Sequence, residues 1–293
     1  MKTTTFSSAI QQYKYPGIFY LLSTLIPWLF WFTAGYISHL EPYQDKYLNI
    51  ASVLSFIGLL APVIVAVILI HKEPELRKDI SRRFFNFKRS YLIYYILACF
   101  IMPVSIMTAQ AISLLFGYNP SQFIITGEFT FSSGIFPVWF LLIIAPLIEE
   151  LAWHTYGTDS LCSRFNLFTA SLIFGLFWGV WHMPLATMRD YYQSNVVEEG
   201  WIYGINFLVS IIPYVILMNW LYYKTGRNIL VTIVFHITAG LFNELFAPHP
   251  DSKIIQTGLL LILSVWVLIK DRNMFFGKEN KQPIYQTTLF VCK

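Results

Sequence analysis

Apolar residues run along this chain in long blocks, separated by short clusters of charge, proline and polar turn residues. A helix crossing the hydrocarbon of a bilayer takes roughly 20 mostly apolar residues. Eight blocks approach or exceed that length: Gly17–Ser38, Asn49–Ile70, Tyr91–Gly117, Ile135–Trp153, Asn166–Ala186, Trp201–Tyr223, Asn228–Ala247 and Lys253–Lys270. The two-residue alternation of an outer-membrane barrel is absent, and an open sheet edge does not survive in lipid. The pattern predicts an all-α, polytopic membrane protein of about eight transmembrane helices, with residues 1–293 as one integral membrane domain. No repeat of fixed period interrupts it. The first block lacks a small-residue cleavage site, so it is expected to be a retained helix and not a signal peptide.

Composition sharpens this reading. Of 293 residues, 56% are hydrophobic and 12% charged, more apolar side chain than one soluble core covers. The lipid bilayer is therefore the first expected partner. The formal net charge of +4 matters less than where the cations sit. Seventeen Lys and Arg fall at one end of the predicted bundle, seven of them between Lys72 and Arg89, while Lys46, Arg189 and Lys253 are the three at the other. By the positive-inside rule this split predicts a multi-pass cell-membrane protein with both termini cytoplasmic. The segment at residues 72–90 also carries Phe84, Phe85 and Phe87, which suits an amphipathic helix on anionic lipid better than a nucleic-acid contact. No nucleic-acid partner is expected. Cys99, Cys162 and Cys292 are scattered, without the close pairing of a disulfide framework or zinc knuckle.

Against this apolar background a few titratable side chains stand out. A charge at the bilayer centre costs on the order of 3 kcal/mol or more, so each one inside a span is a functional candidate. They are Glu149, Glu150 and His154 at the end of the fourth block, His182 in the fifth, and His236 and Glu244 in the seventh. Glu150 and His154, four apart, share a helix face, while Glu149 points about 100° away. Trp178 lies one turn before His182 and can wall it from water, and Asn243 lies two turns beyond His236. Adjacent glutamates alone would suit a solvated helix end, and one helical histidine is usually a satisfied core group. Two histidines and a glutamate on three separate spans point instead to a convergent site.

Peptide hydrolysis needs an activated water, a proton donor for the leaving amine, and donors for the developing oxyanion. A carboxylate with a histidine supplies the first two, and a second histidine with an amide such as Asn243 supplies the third. Glu149, His182 and His236 are also the candidate metal ligands, and zinc is the ion such a set suits. There is no His-Glu-x-x-His element, and the residues leave a metal-bound and a carboxylate-activated water both open.

At these residues the chain resembles the CAAX protease and bacteriocin-processing family, over about residues 136–247. The family's Glu-Glu-x-x-x-Arg is matched by Glu149 and Glu150, with His154 in the arginine position and Tyr156-Gly157 following. Its Phe-x-x-x-His is matched by Trp178 and His182, trailed by Met183-Pro184. Its His-x-x-x-Asn is matched by His236, with Gly240 in the asparagine position, after a family-like lead-in from Thr225 to Leu230. The resemblance implies a bacterial-type intramembrane endopeptidase acting on a membrane-associated peptide or protein near the cytoplasmic face. Glu149 and His182 would activate water, Glu150 would complete the catalytic set, and His236 would stabilise the oxyanion. His154, Trp178 and Gly240 depart from the family's pattern, and the departures at His154 and Gly240 favour an alternative, a catalytically weak or inactive relative acting in bacteriocin immunity or as a scaffold. A proton-coupled carrier is a third reading, for which paired repeats and broken helices are not evident. With the fourth span ending at Trp153, Glu149 and His236 fall about 10 Å from the cytoplasmic face at 1.5 Å per residue, and His182 lies deeper.

Overall fold

The computed structural model describes residues 9–84, 86–125, 127–246 and 248–277. Phe85 and Cys292 therefore lie outside the described residues. Among those described there is no strand, and eight helices are long and apolar enough to cross a membrane. We number them α1 (Pro16–Ser38), α2 (Asp45–His71), α3 (Leu92–Ser113), α4 (Val138–Ala152, continuing to Cys162), α5 (Leu167–Trp181), α6 (Trp201–Lys224), α7 (Ile229–Phe246) and α8 (Pro250–Lys270). Their starts carry ordinary signals. Pro16 and Pro250 occupy first turns, where a missing N–H costs nothing, and the Asn166 side chain caps α5 by accepting from Thr169 N at 2.8 Å.

The helices are sorted by what faces lipid. On α1 the buried stripe is Phe19, Ser23, Pro27, Trp31 and Ala34, while Leu21, Leu25, Leu29 and Phe32 are exposed on the outside. Apolar side chains outward and small or hydrogen-bonding ones inward is the arrangement expected where lipid is the solvent. The helices are joined inside by buried polar bonds: Trp181 Nε1 to Ser23 O at 2.7 Å, Trp31 Nε1 to Ser55 O at 3.0 Å, and Gln256 Nε2 to Ser105 Oγ at 3.0 Å.

The fourth span differs from its sequence expectation. It does not stop at Trp153: a π turn over Trp153–Gly157 leads into a last helical stretch, Thr158–Cys162, for 25 residues in all. The polar residues beyond Trp153 lie outside the expected span, but partners from elsewhere in the chain satisfy them. Arg83 donates to the carbonyls of His154 at 3.0 Å and Thr155 at 3.1 Å, and the Tyr222 hydroxyl donates to His154 O at 2.9 Å. At Gly157 the helix passes so close to α1 that a Cβ there would lie 2.9 Å from Phe19 Cε1. The longer span also levels the depths. Glu149 is thirteen residues from Cys162 and His182 fifteen from Leu167, about 20 and 22 Å at 1.5 Å per residue.

In the basic segment one cation departs from the interfacial face. The segment contains a helix, Pro74–Phe84, and Phe87 is exposed as an interfacial role requires, but Arg83 turns inward and is buried. Together with Asp79 it meets Asp159 of α4 and Arg227 of the turn before α7. Two carboxylates thus face two guanidiniums, a balanced set that tolerates burial where a single charge would not.

Candidate active site

Four of the expected catalytic side chains line or adjoin one cavity. Glu150 is fully buried and bridges two histidines: Oε1 faces His236 Nδ1 at 2.9 Å, and Oε2 is hydrogen-bonded to His154 Nδ1. His154 Nε2 faces Asn219 Oδ1 at 2.9 Å, and Asn219 Nδ2 donates to Ser171 Oγ at 2.9 Å. Because the Asn219 amide nitrogen is committed to Ser171, its oxygen accepts, so His154 donates from Nε2. The His154 ring thus links the Glu150 carboxylate at Nδ1 to the Asn219 amide at Nε2.

Glu149 points elsewhere, as the 100° step predicts. Its Oε2 accepts from the Trp178 indole N–H at 2.9 Å and, more loosely, from Trp153 Nε1 at 3.4 Å. Both donors meet the same oxygen, so Oε1 is left to the cavity. His182 sits where α5 ends, and its Nδ1 donates to Trp178 O at 2.6 Å, which turns Nε2 into the acceptor. Trp178 stands between the two imidazoles, with ring centroids 5.5 Å from His182 and 5.1 Å from His236.

The cavity has a volume of about 300 Å³ and is walled mainly by apolar groups of α3, α4, α6, α7 and α8 around Glu149, Trp178, His182 and His236. A smaller space of about 110 Å³, lined by Ser52, Ser55 and Ser132, reaches Glu149 and His182 from the other side. The larger cavity runs toward the end of the bundle that carries Glu199, Tyr203 and Lys253. That is the end opposite the basic segment, so the expected opening near the basic face is not what the structure shows. Tyr191 borders both spaces, and burial, aided by the Glu149 charge, pushes its phenol up to about 12, so it keeps its proton at neutral pH.

Other expected residues have different surroundings. Asn243 lines the cavity two turns beyond His236, with its amide nitrogen donating to Tyr192 Oη at 3.0 Å. Glu244 accepts from Thr130 N at 3.0 Å and Oγ1 at 2.9 Å, which pins the segment before α4 across the mouth. The proposed metal set, Glu149, His182 and His236, does not converge: among the described residues no three His, Cys, Asp or Glu side chains are placed to hold an ion. The donors explain this, since His236 is turned to Glu150 and His182 to a carbonyl. Sequence reasoning overlooked Trp153, Asn219 and Asp159. The first was legible as an i,i+4 partner of Glu149, whereas Asn219 carries no charge to flag it and Asp159 falls between the expected fourth and fifth spans.

Eight spanning helices around a recessed glutamate–histidine cavity are the architecture of an intramembrane peptidase, and comparison with known proteins agrees. Residues 131–242 match the family described as type II CAAX prenyl endopeptidase Rce1-like. The chain is also 38% identical over 272 residues to CAAX prenyl protease 2 of Methanococcus maripaludis, covering 92% of this chain and 99% of that protein. It belongs to this Rce1-like branch of the CAAX protease and bacteriocin-processing proteins and is an intramembrane endopeptidase of that type.

Proposed function

We propose that the chain hydrolyses a peptide bond of a membrane-associated peptide or protein using water activated by Glu149 and His182. The observation that carries this is the free Oε1 of Glu149 in a cavity that His182 and His236 also line. Glu149 takes a proton from the water as it attacks the carbonyl carbon, with His182 Nε2 accepting a hydrogen bond that orients the water. His236, held through Nδ1 by Glu150, presents its other nitrogen to the developing oxyanion. Glu149 then passes the proton to the leaving amine nitrogen, which completes the cleavage. Glu150, shut away between His154 and His236, is a positioning residue. No step is routed through a metal, because the candidate ligands do not converge.

The name of the methanococcal relative makes a prenylated CAAX peptide the first substrate to try. Purified protein should cleave a quenched fluorescent peptide of that kind, and Glu149→Ala should not; equal turnover by the variant would remove Glu149 from its role. The same assay decides against the immunity or scaffold reading, which requires no turnover. Cleavage is expected to withstand a strong chelator, and loss of activity restored by added zinc would return the metal reading.

The split of seventeen cations to three supports both termini in the cytoplasm. That orientation turns the cavity mouth to the opposite face of the cell membrane. In intact cells a Glu199→Cys variant should then react with an impermeant maleimide, while reaction only after permeabilisation would invert the topology.

A further inference from the structure

Two residues that line the cavity carry a buried polar atom with no hydrogen-bond partner among the described residues: the Tyr214 hydroxyl and the Gln193 side-chain oxygen. Native structures seldom leave such groups unmatched without a use. Tyr214 lies on α6, 8% exposed, with its ring stacked on Phe235 at 5.0 Å and standing 5.8 Å from Trp178 and 6.0 Å from His236. Gln193 lies on the short helix Tyr192–Glu199 and borders both the large cavity and the serine-lined space, where they meet at Glu149 and His182. One is an O–H that can donate, the other an oxygen that accepts. A peptide group brought into an apolar cavity presents the complementary pair, a carbonyl oxygen to be donated to and an N–H to be accepted.

We propose that the substrate's peptide chain is held by these two groups, with Tyr214 donating to the carbonyl oxygen of the scissile bond and Gln193 accepting from a neighbouring substrate N–H. This rests on the peptidase reading above. A hydroxyl rotates about its C–O bond, so the Tyr214 proton can follow the oxygen as it leaves the carbonyl plane and takes on charge. It thereby adds a second donor beside His236, where Gly240 has no side chain to offer and Asn243 is engaged with Tyr192. Tyr214 becomes a catalytic residue and Gln193 a binding one. No bond to either is made or broken.

The test uses the full-length protein in detergent with the prenylated CAAX peptide, following cleavage and, by fluorescence anisotropy in a Glu149→Ala background, binding. Tyr214→Phe removes a hydroxyl that has no hydrogen-bond partner among the described residues, so the thermal transition should stay in place while kcat falls roughly 10- to 100-fold at little-changed KM. Gln193→Leu should weaken peptide binding about 10-fold, because its bond is made equally before and during reaction. A Tyr214→Phe enzyme with wild-type kcat overturns the proposal, as does a kcat loss that only parallels a lowered transition temperature. Wild-type affinity in Gln193→Leu overturns the Gln193 half. A wild type that binds the peptide without cleaving it sinks the peptidase reading instead, and the Gln193 comparison still reports on how the chain is held.

Discussion

The Arg227 guanidinium holds the buried Asp159 carboxylate through Nε, at 3.2 Å from Oδ1 and 3.1 Å from Oδ2. Asp159 is nine residues beyond Glu150 on α4, and Arg227 is nine residues before His236 on the antiparallel α7. The two pairs are thus rungs of one register, so the ion pair at one level sets which residues meet at the other. Arg227 adopts a positive φ of 65°, in the left-handed region that costs a non-glycine residue energy, and its bonds to Asp159 and Asp79 hold it there.

Removing Asp159 should therefore act on folding before it acts on chemistry. Asp159→Ala strands Arg83 and Arg227 without their shared carboxylate, a change worth about 3–5 kcal/mol for a broken buried pair. The expected result is a sharply lowered thermal transition in detergent, or no folded protein. A transition equal to that of the wild type would mean that the register is held by packing alone.

Trp178→Phe tests the indole that separates the two histidines. A smaller phenyl ring replaces the indole and the N–H to Glu149 Oε2 is lost, which leaves the longer Trp153 bond to hold that oxygen. A hydrogen bond to a charged group contributes roughly 1.5–3 kcal/mol, so kcat should fall about 10-fold or more, beyond the lowered thermal transition that the smaller buried ring brings. Full kcat in the variant would show that Glu149 is oriented by its backbone position.

Much of this was readable in advance, and the reasons differ by residue. The spans were legible because lipid demands unbroken apolar length, a constraint written residue by residue. Glu149, Glu150, His182 and His236 were legible because titratable groups are costly there and few. The partner of His236 was not, since the choice between two adjacent glutamates depends on helix rotation relative to α7. The continuation of α4 was hidden for a related reason. Asp159 and Ser160 lie past the expected end of the span, and Arg83, a distant member of a basic run, enters the bundle and neutralises Asp159.

His154 in the family's arginine position is expected to keep Glu150 in place. His154→Ala leaves Glu150 Oε2 and Asn219 Oδ1 unmatched in a fully buried setting. Losing a bond to a charged group at this cost should lower kcat roughly 10- to 100-fold. His154→Arg, which offers donors to both acceptors, should recover more activity than the alanine variant. Equal activity in the two would mean that Glu150 is fixed by His236 alone.

Gly240 offers the opposite experiment, a gain. It stands one turn after His236 on the cavity wall, where the family has an asparagine. A Cβ built there meets only Leu142 Cδ2, at 3.6 Å, so there is room to begin a side chain. Replacing a mid-helix glycine also favours the helix by several tenths of a kcal/mol. Gly240→Asn should therefore fold at least as well as the wild type and, by adding an oxyanion donor, raise kcat. The gain should be larger when Tyr214 has already been changed to Phe, because two donors to one oxyanion partly replace each other. An equal multiplicative effect in both backgrounds would mean that the residues act independently, and a loss in both would mean that the asparagine amide turns away from the reacting carbonyl.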